Sequence, residues 1–278
     1  MNEQLLQRAI SKYFRNLRKE VLANLEEYWS EYQLMQGQIN LIIAPVLDTQ
    51  EDYYNILVKY NKREYQLGMK EGKRLVDIVN EQYAEKGILD YIKTKITKDR
   101  FFGTIDWTED ALLTQIFTAS KTTLARVSSE LNQIITDGYT SGKGIDVVAN
   151  MITRRFDQLE TWEARRIART EIHSSHNQGV MRIYQEMNVQ YTQWISRIDK
   201  RTRTYRKGDK ADHIKMDGEI IPFGGTYSNG LSYPGDKSGK IEEWINCRCS
   251  NAPYVMRYGY TAPPGMSNFT ESDLIKIN

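Results

Sequence analysis

The spacing of apolar residues changes once along this chain, and that change limits the folds open to it. Up to about residue 187 the apolar positions recur at intervals of three and four, the period of a helix with one buried face. Leu6, Ile10, Tyr13, Leu17, Val21, Leu25 and Tyr28 predict an amphipathic helix over residues 3–35, with Lys, Arg and Glu opposite. Such a stripe reads as the core face of a bundle helix, the alternative being an arm docked on another subunit. Leu41–Leu47, with Pro45, reads as an apolar break. Residues 48–86 return to the helical period, with Gly68 and Gly72 four apart and Gly87 as a stop, and residues 88–98 suggest a short helix. Asp106–Asp110 combines a hydroxyl cap with first-turn acids and starts a helix that ends at Asp137-Gly138. Further helices are expected over 145–156 and 161–187. The second carries a face of Ala164, Ala168, Ile172, Ser175, Gly179 and Ile183, small enough for another element to come close.

After Asn188 the pattern alternates. Short strands are expected near 190–198, 218–223 and 241–249, separated by Gly224-Gly225, Asn229-Gly230 and Pro234-Gly235 turns. The fold class is therefore α+β: a mostly helical N-terminal region followed by a small β-rich C-terminal module on which the last long helix packs. The expected division is a helical arm or bundle at 1–100, a second helical part at 101–187, the β-rich module at 188–258, and an extended tail at 259–278.

Composition adds limits. The net charge is only +2 over 278 residues, so nucleic-acid binding is not forced by bulk charge. Eighteen tyrosines suggest much partner-facing surface, with the first helix and the Tyr-rich segment 53–65 as the expected face. Two cysteines in one Cys-x-Cys make no disulfide framework and suit a reducing compartment. Asn2, Glu3 and Gln4 follow Met1 with no signal-like apolar run, and the block Leu41–Leu47 is far short of the about 20 residues that cross a bilayer.

The densest chemistry lies between Trp194 and Tyr254. In order come Ala168–Glu171, Asn177, Trp194, Asp199/Arg201/Arg203, His213/Asp217/Gly218, Pro234–Asp236 and Asn246–Cys249. This succession, over about residues 105–255, resembles the phage head-morphogenesis family, the minor head proteins that share a domain named after phage Mu protein F. Thr202 and Tyr205 stand where many of those relatives carry a Cys pair. The resemblance implies a virion component encoded beside the portal protein and acting in head assembly. Some members bind the portal or DNA, and some leave the head with the genome. It implies structural roles for Arg169, Glu171, Asn177, Trp194, Asp199, Arg201, Arg203, Asp217 and Asp236.

Three chemistries compete for the module. His213, Cys247 and Cys249 are candidate zinc ligands, with Asp199, Asp217 or Asp236 as a fourth; the plainer reading is two buried thiols and a hydrogen-bonded His. His213 with Asp199 and Asp217 is the candidate centre of a metal-dependent nuclease or toxin-like effector, against carboxylates that fix turns and pair with Arg201 or Arg203. Residues 197–215 hold eight Lys or Arg against three Asp, which makes Arg197, Lys200, Arg206, Lys207, Lys210 and Lys215 candidate phosphate contacts for non-specific double-stranded DNA. Glu171 is expected partly buried beside the small-residue stripe, with Arg201 or Arg203 as its partner.

The expectation drawn from all this is a non-enzymatic minor head protein, with no catalytic residues and no cofactor. It would act in procapsid assembly inside the phage head, in the host cytoplasm until assembly is complete. Its expected partners are the portal and, beyond it, scaffolding or major capsid protein and packaged DNA.

Overall fold

The computed structural model describes residues 2–30, 32–84 and 106–277. The helix expected at 88–98, and Gly87 as the stop of the helix over 48–86, lie outside these residues. The helices are α1 (Asn2–Tyr28), α2 (Gln36–Asp48), α3 (Gln50–Ala84), α4 (Glu109–Thr140), α5 (Ile145–Gln158), α6 (Ala164–Glu186) and a single turn α7 (Ile241–Trp244). The strands are β1 (Tyr191–Ile195), β2 (Ile220–Pro222), β3 (Ser250–Tyr254), β4 (Tyr260–Thr261) and β5 (Ile275–Lys276). Helices thus dominate the N-terminal side and a few short antiparallel strands the C-terminal side, as an α+β fold requires. The chain forms two compact units, each discontinuous in sequence.

Met1–Tyr60 and Asp110–Glu171 form the first unit. Leu6, Ile10, Tyr13, Leu17, Val21 and Leu25 are buried inside this unit, together with Phe14, and Tyr28 is half-buried, so the stripe of α1 is a core face. Each buried Leu, Ile, Val or Phe among them contributes about 1.5–3 kcal/mol. Tyr53 is buried here too, against Tyr13 and Phe14 with ring centroids 4.9 and 5.7 Å away, so part of the Tyr-rich segment faces inward and not toward a partner. The helix α1 ends at Tyr28, seven residues before the expected limit, because Gln38 stitches a turn there. Its amide donates to the Tyr28 carbonyl, and its carbonyl accepts from Met35 N–H at the start of α2.

The apolar run Leu41–Leu47 is helical after all. Pro45 lacks the N–H that would reach back to the Leu41 carbonyl. Asn24 of α1 supplies that donor instead, at 2.9 Å. Between α5 and α6, Leu159–Glu163 forms one π-helical turn, where Ser11 donates to the Glu160 carbonyl. That turn aims the buried Glu163 at Arg155 and Arg126, 2.6 and 2.7 Å away, and both arginines also hold Glu130. Arg169 pairs with Glu3 at 3.2 Å.

Asn61–Glu109 and Ile172–Asn278 supply the second unit. Here α3 and α6 approach to backbone contact. A Cβ on Gly68 would lie 2.0 Å from the His176 carbonyl oxygen, and one on Gly179 would lie 2.1 Å from that of Tyr65. The small-residue face of α6 and the glycines of α3 are the two sides of this crossing. Ser175 donates to Asn61 across it at 2.6 Å. Beside the crossing, Trp107 packs edge-on against Tyr233 in a core with Val180, Met181 and Tyr184.

The sheet has the order β2-β1-β3, antiparallel throughout, with Gln193 opposite both Ile220 and Ala252. Only Thr192 and Trp194 of β1 are fully buried, so one face of the strand meets the core. The strand expected at 241–249 is absent: α7 and a turn occupy that segment, and β3 begins at Ser250. The expected extended tail folds back. β4 pairs with β5, and the buried Phe269 bridges Ile220 at the edge of the sheet. Among the described residues no helix is long and apolar enough to cross a membrane.

Candidate functional site

Trp194 leads from β1 into the site. Its ring is fully buried and stands edge-on to His213 at 5.4 Å between centroids. Its indole N–H donates to Ser196, whose hydroxyl in turn donates to the His213 carbonyl. The Ser196 backbone N–H is held by Asp217 at 2.8 Å. The His213 N–H donates to the Arg203 carbonyl at 3.0 Å. The loop 196–217 is therefore closed on itself by Trp194, Asp217 and the His213 backbone, and the imidazole is fixed inside.

The second half of the site is Trp244–Cys249. Asn246 sits in the left-handed region at φ 54°, which Asn tolerates better than most residues. The Cys247 N–H donates to the Trp244 carbonyl at 3.2 Å and the Cys249 N–H to the Cys247 sulfur at 3.5 Å. This turn brings two cysteines separated by one residue to the same side. Arg203 donates to the carbonyls of Glu243 and Ile245, just ahead of the turn.

The two halves meet at His213. Its Nδ1 is 3.6 Å from Cys247 Sγ and 3.5 Å from Cys249 Sγ. Its Nε2 is 3.1 Å from Glu243 Oε2, which also accepts from the Asn229 amide at 3.1 Å. His213, Cys247, Cys249 and Glu243 are all buried. The Cys247 thiol donates to Cys249 and, being buried, is pushed well up, while that donor and the neighbouring His213 hold the Cys249 thiol well below its usual range. The donor atoms of His213, Cys247 and Cys249 lie within 4.8 Å of one another, and Asp199, Asp217 and Asp236 are not part of that group.

The other motif residues serve this frame. Asp199 accepts the Arg201 N–H at 2.8 Å and forms a bidentate pair with Arg248, the residue between the two cysteines. Arg248, and to a smaller degree the Arg201 N–H, hold the Asp199 carboxyl far below the usual range. Asp236 accepts from Ser232 and Ser238, closing the Pro-Gly-Asp turn. Gly235 of that turn lies against α6, where Ser174 donates to its carbonyl at 2.8 Å. Asn177, also on α6, reaches the Pro234 carbonyl at 2.7 Å and the Cys249 carbonyl at 3.4 Å.

The partners of Asp199 and Asp217 differ from those expected. Asp199 takes Arg248 in place of the Arg201 or Arg203 side chain, because Arg203 is turned onto the Glu243 and Ile245 carbonyls. Glu171 is buried in the first unit, where its charge acts on Tyr53. His213, Asp199 and Asp217 do not converge: the His turns to Glu243 and the two thiols, Asp199 to Arg248, and Asp217 to the Ser196 N–H. Glu243, Arg248 and Asn229 are the residues that sequence reasoning missed as participants. Arg248 was within the Asn-Cys-Arg-Cys motif, but its partner 49 positions away left no local trace.

Of the candidate phosphate contacts, Lys207 spends its ammonium on the Lys200 and Thr202 carbonyls, and Arg197 lies 3.6 Å from Asp199. Lys200, Arg206, Lys210 and Lys215 are exposed. Asp209 and Asp212 accept backbone N–H groups of the same loop, from Thr204 and from Tyr205 and Lys215.

Residues 129–252 match the family model described as Phage Mu protein F like protein. That match runs from within α4 to within β3. No curated protein and no solved structure matches the chain.

Proposed function

We propose that this chain, with its Phage Mu protein F-like domain, is a structural minor head protein of a tailed double-stranded DNA bacteriophage, acting in head morphogenesis. One observation carries the choice of a structural over a catalytic role. The polar residues of the motifs are spent on one another and on backbone groups: Asp199 on Arg248, Arg203 on two carbonyls, Asp217 on the Ser196 N–H, and Asp236 on two serines. A catalytic centre aims several such groups at one reacting atom. The pattern supports a rigid unit that presents surfaces.

In this reading the protein assembles with the portal in the host cytoplasm and stays in the virion head. Scaffolding or major capsid protein are further partners of the same assembly. Co-expression with the portal protein of the same genome, followed by co-purification, tests it. A stable complex is expected, and its absence under conditions where both proteins fold overturns the portal assignment. The exposed Lys200, Arg206, Lys210 and Lys215 support a second contact, with the phosphates of packaged DNA. Divalent-ion-dependent cleavage of plasmid DNA, lost in His213→Ala, would replace this reading by the nuclease one.

A further inference from the structure

We propose that Nδ1 of His213 and the sulfurs of Cys247 and Cys249 form a zinc site that staples the turn at 213–218 to the segment 245–249. The donor chemistry is right, because zinc takes thiolate sulfur and imidazole nitrogen. The spacing is right as well. Zn–S bonds of about 2.3 Å and a Zn–N bond of about 2.0–2.1 Å, at the tetrahedral angle, set sulfur and nitrogen about 3.6 Å apart. The two sulfur–nitrogen distances are 3.6 and 3.5 Å.

A thiol–imidazole hydrogen bond accounts for only part of this. Nδ1 has one position in the ring plane, for one lone pair or one proton, and so serves one sulfur. Two buried sulfurs converge on it. Without a metal the Cys247 thiol turns to Cys249 and only one sulfur is bonded to Nδ1, although both lie at nearly the same distance from it; a cation between the three atoms accounts for both distances at once.

A further feature supports the assignment. Metal-bound His residues characteristically donate their other ring N–H to a carboxylate, which fixes the tautomer and turns the lone pair toward the metal. Glu243 stands at that position, 3.1 Å from Nε2, and Asn229 holds it in place. The Cys249 N–H directed at the Cys247 sulfur is the matching support on the thiolate side.

The test is elemental analysis of the full chain purified under reducing conditions without chelators. About one zinc per chain is expected, and less than about half overturns the site. Cobalt exchanged into the same wild-type protein should give a thiolate-to-cobalt charge-transfer band; cobalt bound without that band also overturns it. Cys247→Ser combined with Cys249→Ser should reduce zinc to background. If that variant does not fold, Glu243→Gln keeps the proposal open to refutation: its zinc affinity should fall about 10–100-fold. Unchanged affinity means that His213 is not a ligand and overturns the site. Zinc content and portal co-purification are separate readings, so either proposal can fail alone.

Discussion

Arg248 grips both carboxylate oxygens of Asp199, at 2.6 and 2.5 Å, from a position between the two cysteines. The pair ties the Asp-x-Arg turn to the Cys-x-Cys turn across 49 positions of sequence. Planar, bidentate geometry of this kind belongs to Arg and not to Lys. Asp199→Asn is therefore expected to lower the melting temperature and to speed alkylation of Cys247 and Cys249 in the folded protein. Arg248→Lys, which keeps the charge, should show the same thiol exposure. Wild-type alkylation rates in both variants would mean that the pair does not brace the cysteines.

The α3–α6 crossing allows a sharper test. Gly179→Ala places a methyl group 2.1 Å from the Tyr65 carbonyl oxygen, which cannot move without shifting α3. Overpacking at such a point costs about 1–3 kcal/mol, and backbone contact places this site at the upper end. Gly37, in the first turn of α2, has nothing within 4 Å of an added Cβ, so Gly37→Ala should cause no loss. Denaturant unfolding of the two variants measures the contrast, and equal stability would argue against the close crossing.

Burial pushes the Glu163 carboxyl up, but the hydrogen bond from Arg155 and the charges of Arg126 and Arg155 outweigh that, so its pKa ends below the usual value. A depressed folded-state pKa gives stability that is present above the ordinary Glu range and lost as pH falls through the folded value. Glu163→Gln should destabilise the protein at neutral pH. Breaking a buried pair costs about 3–5 kcal/mol, and the part-exposed Arg126 keeps the effect near the lower figure. The difference between Gln and wild type should shrink in acid, and thermal melts from pH 7 to pH 3 report it. A difference constant with pH would show that Glu163 is not ionised in the folded state.

Contact with DNA predicts a salt signature. Retention on double-stranded DNA should weaken steeply with ionic strength and depend little on sequence. Each phosphate-contacting Lys or Arg adds about one unit to the slope of log affinity against log salt. Replacing Arg206, Lys210 and Lys215 together by Gln should flatten that slope. A retention that is equal at low and high salt excludes these residues as phosphate contacts.

The period of three and four was enough to place most of the helices, because each buries one stripe and the stripe is written in local sequence. It failed where a distant side chain replaces a local bond. Pro45 reads as a breaker until Asn24 is seen to take the orphaned Leu41 carbonyl, and α1 reads as longer until Gln38 is seen to hold its end. The module's site was legible as a list of residue types, but not as a set of pairs. The alternation in 241–249 suggested a strand because nothing local announces that Asn246 adopts a left-handed turn. The partners Asp199–Arg248 and His213–Glu243 are 49 and 30 positions apart, beyond any periodic signal.

The interleaving of the two compact units carries a consequence for synthesis. The first unit needs Asp110–Glu171 to complete what Met1–Tyr60 begins, and the second needs Ile172–Asn278 to complete what starts at Asn61. At about 5–20 residues per second, the ribosome takes roughly 3–10 s to translate the stretch between Tyr60 and Asp110. Throughout that interval the apolar stripe of α1 has only α2 and the start of α3 to cover it. Neither unit can close in the order in which the chain emerges, so the nascent protein waits with an uncovered helix face, a window in which chaperones or a co-translated partner compete with its own later helices.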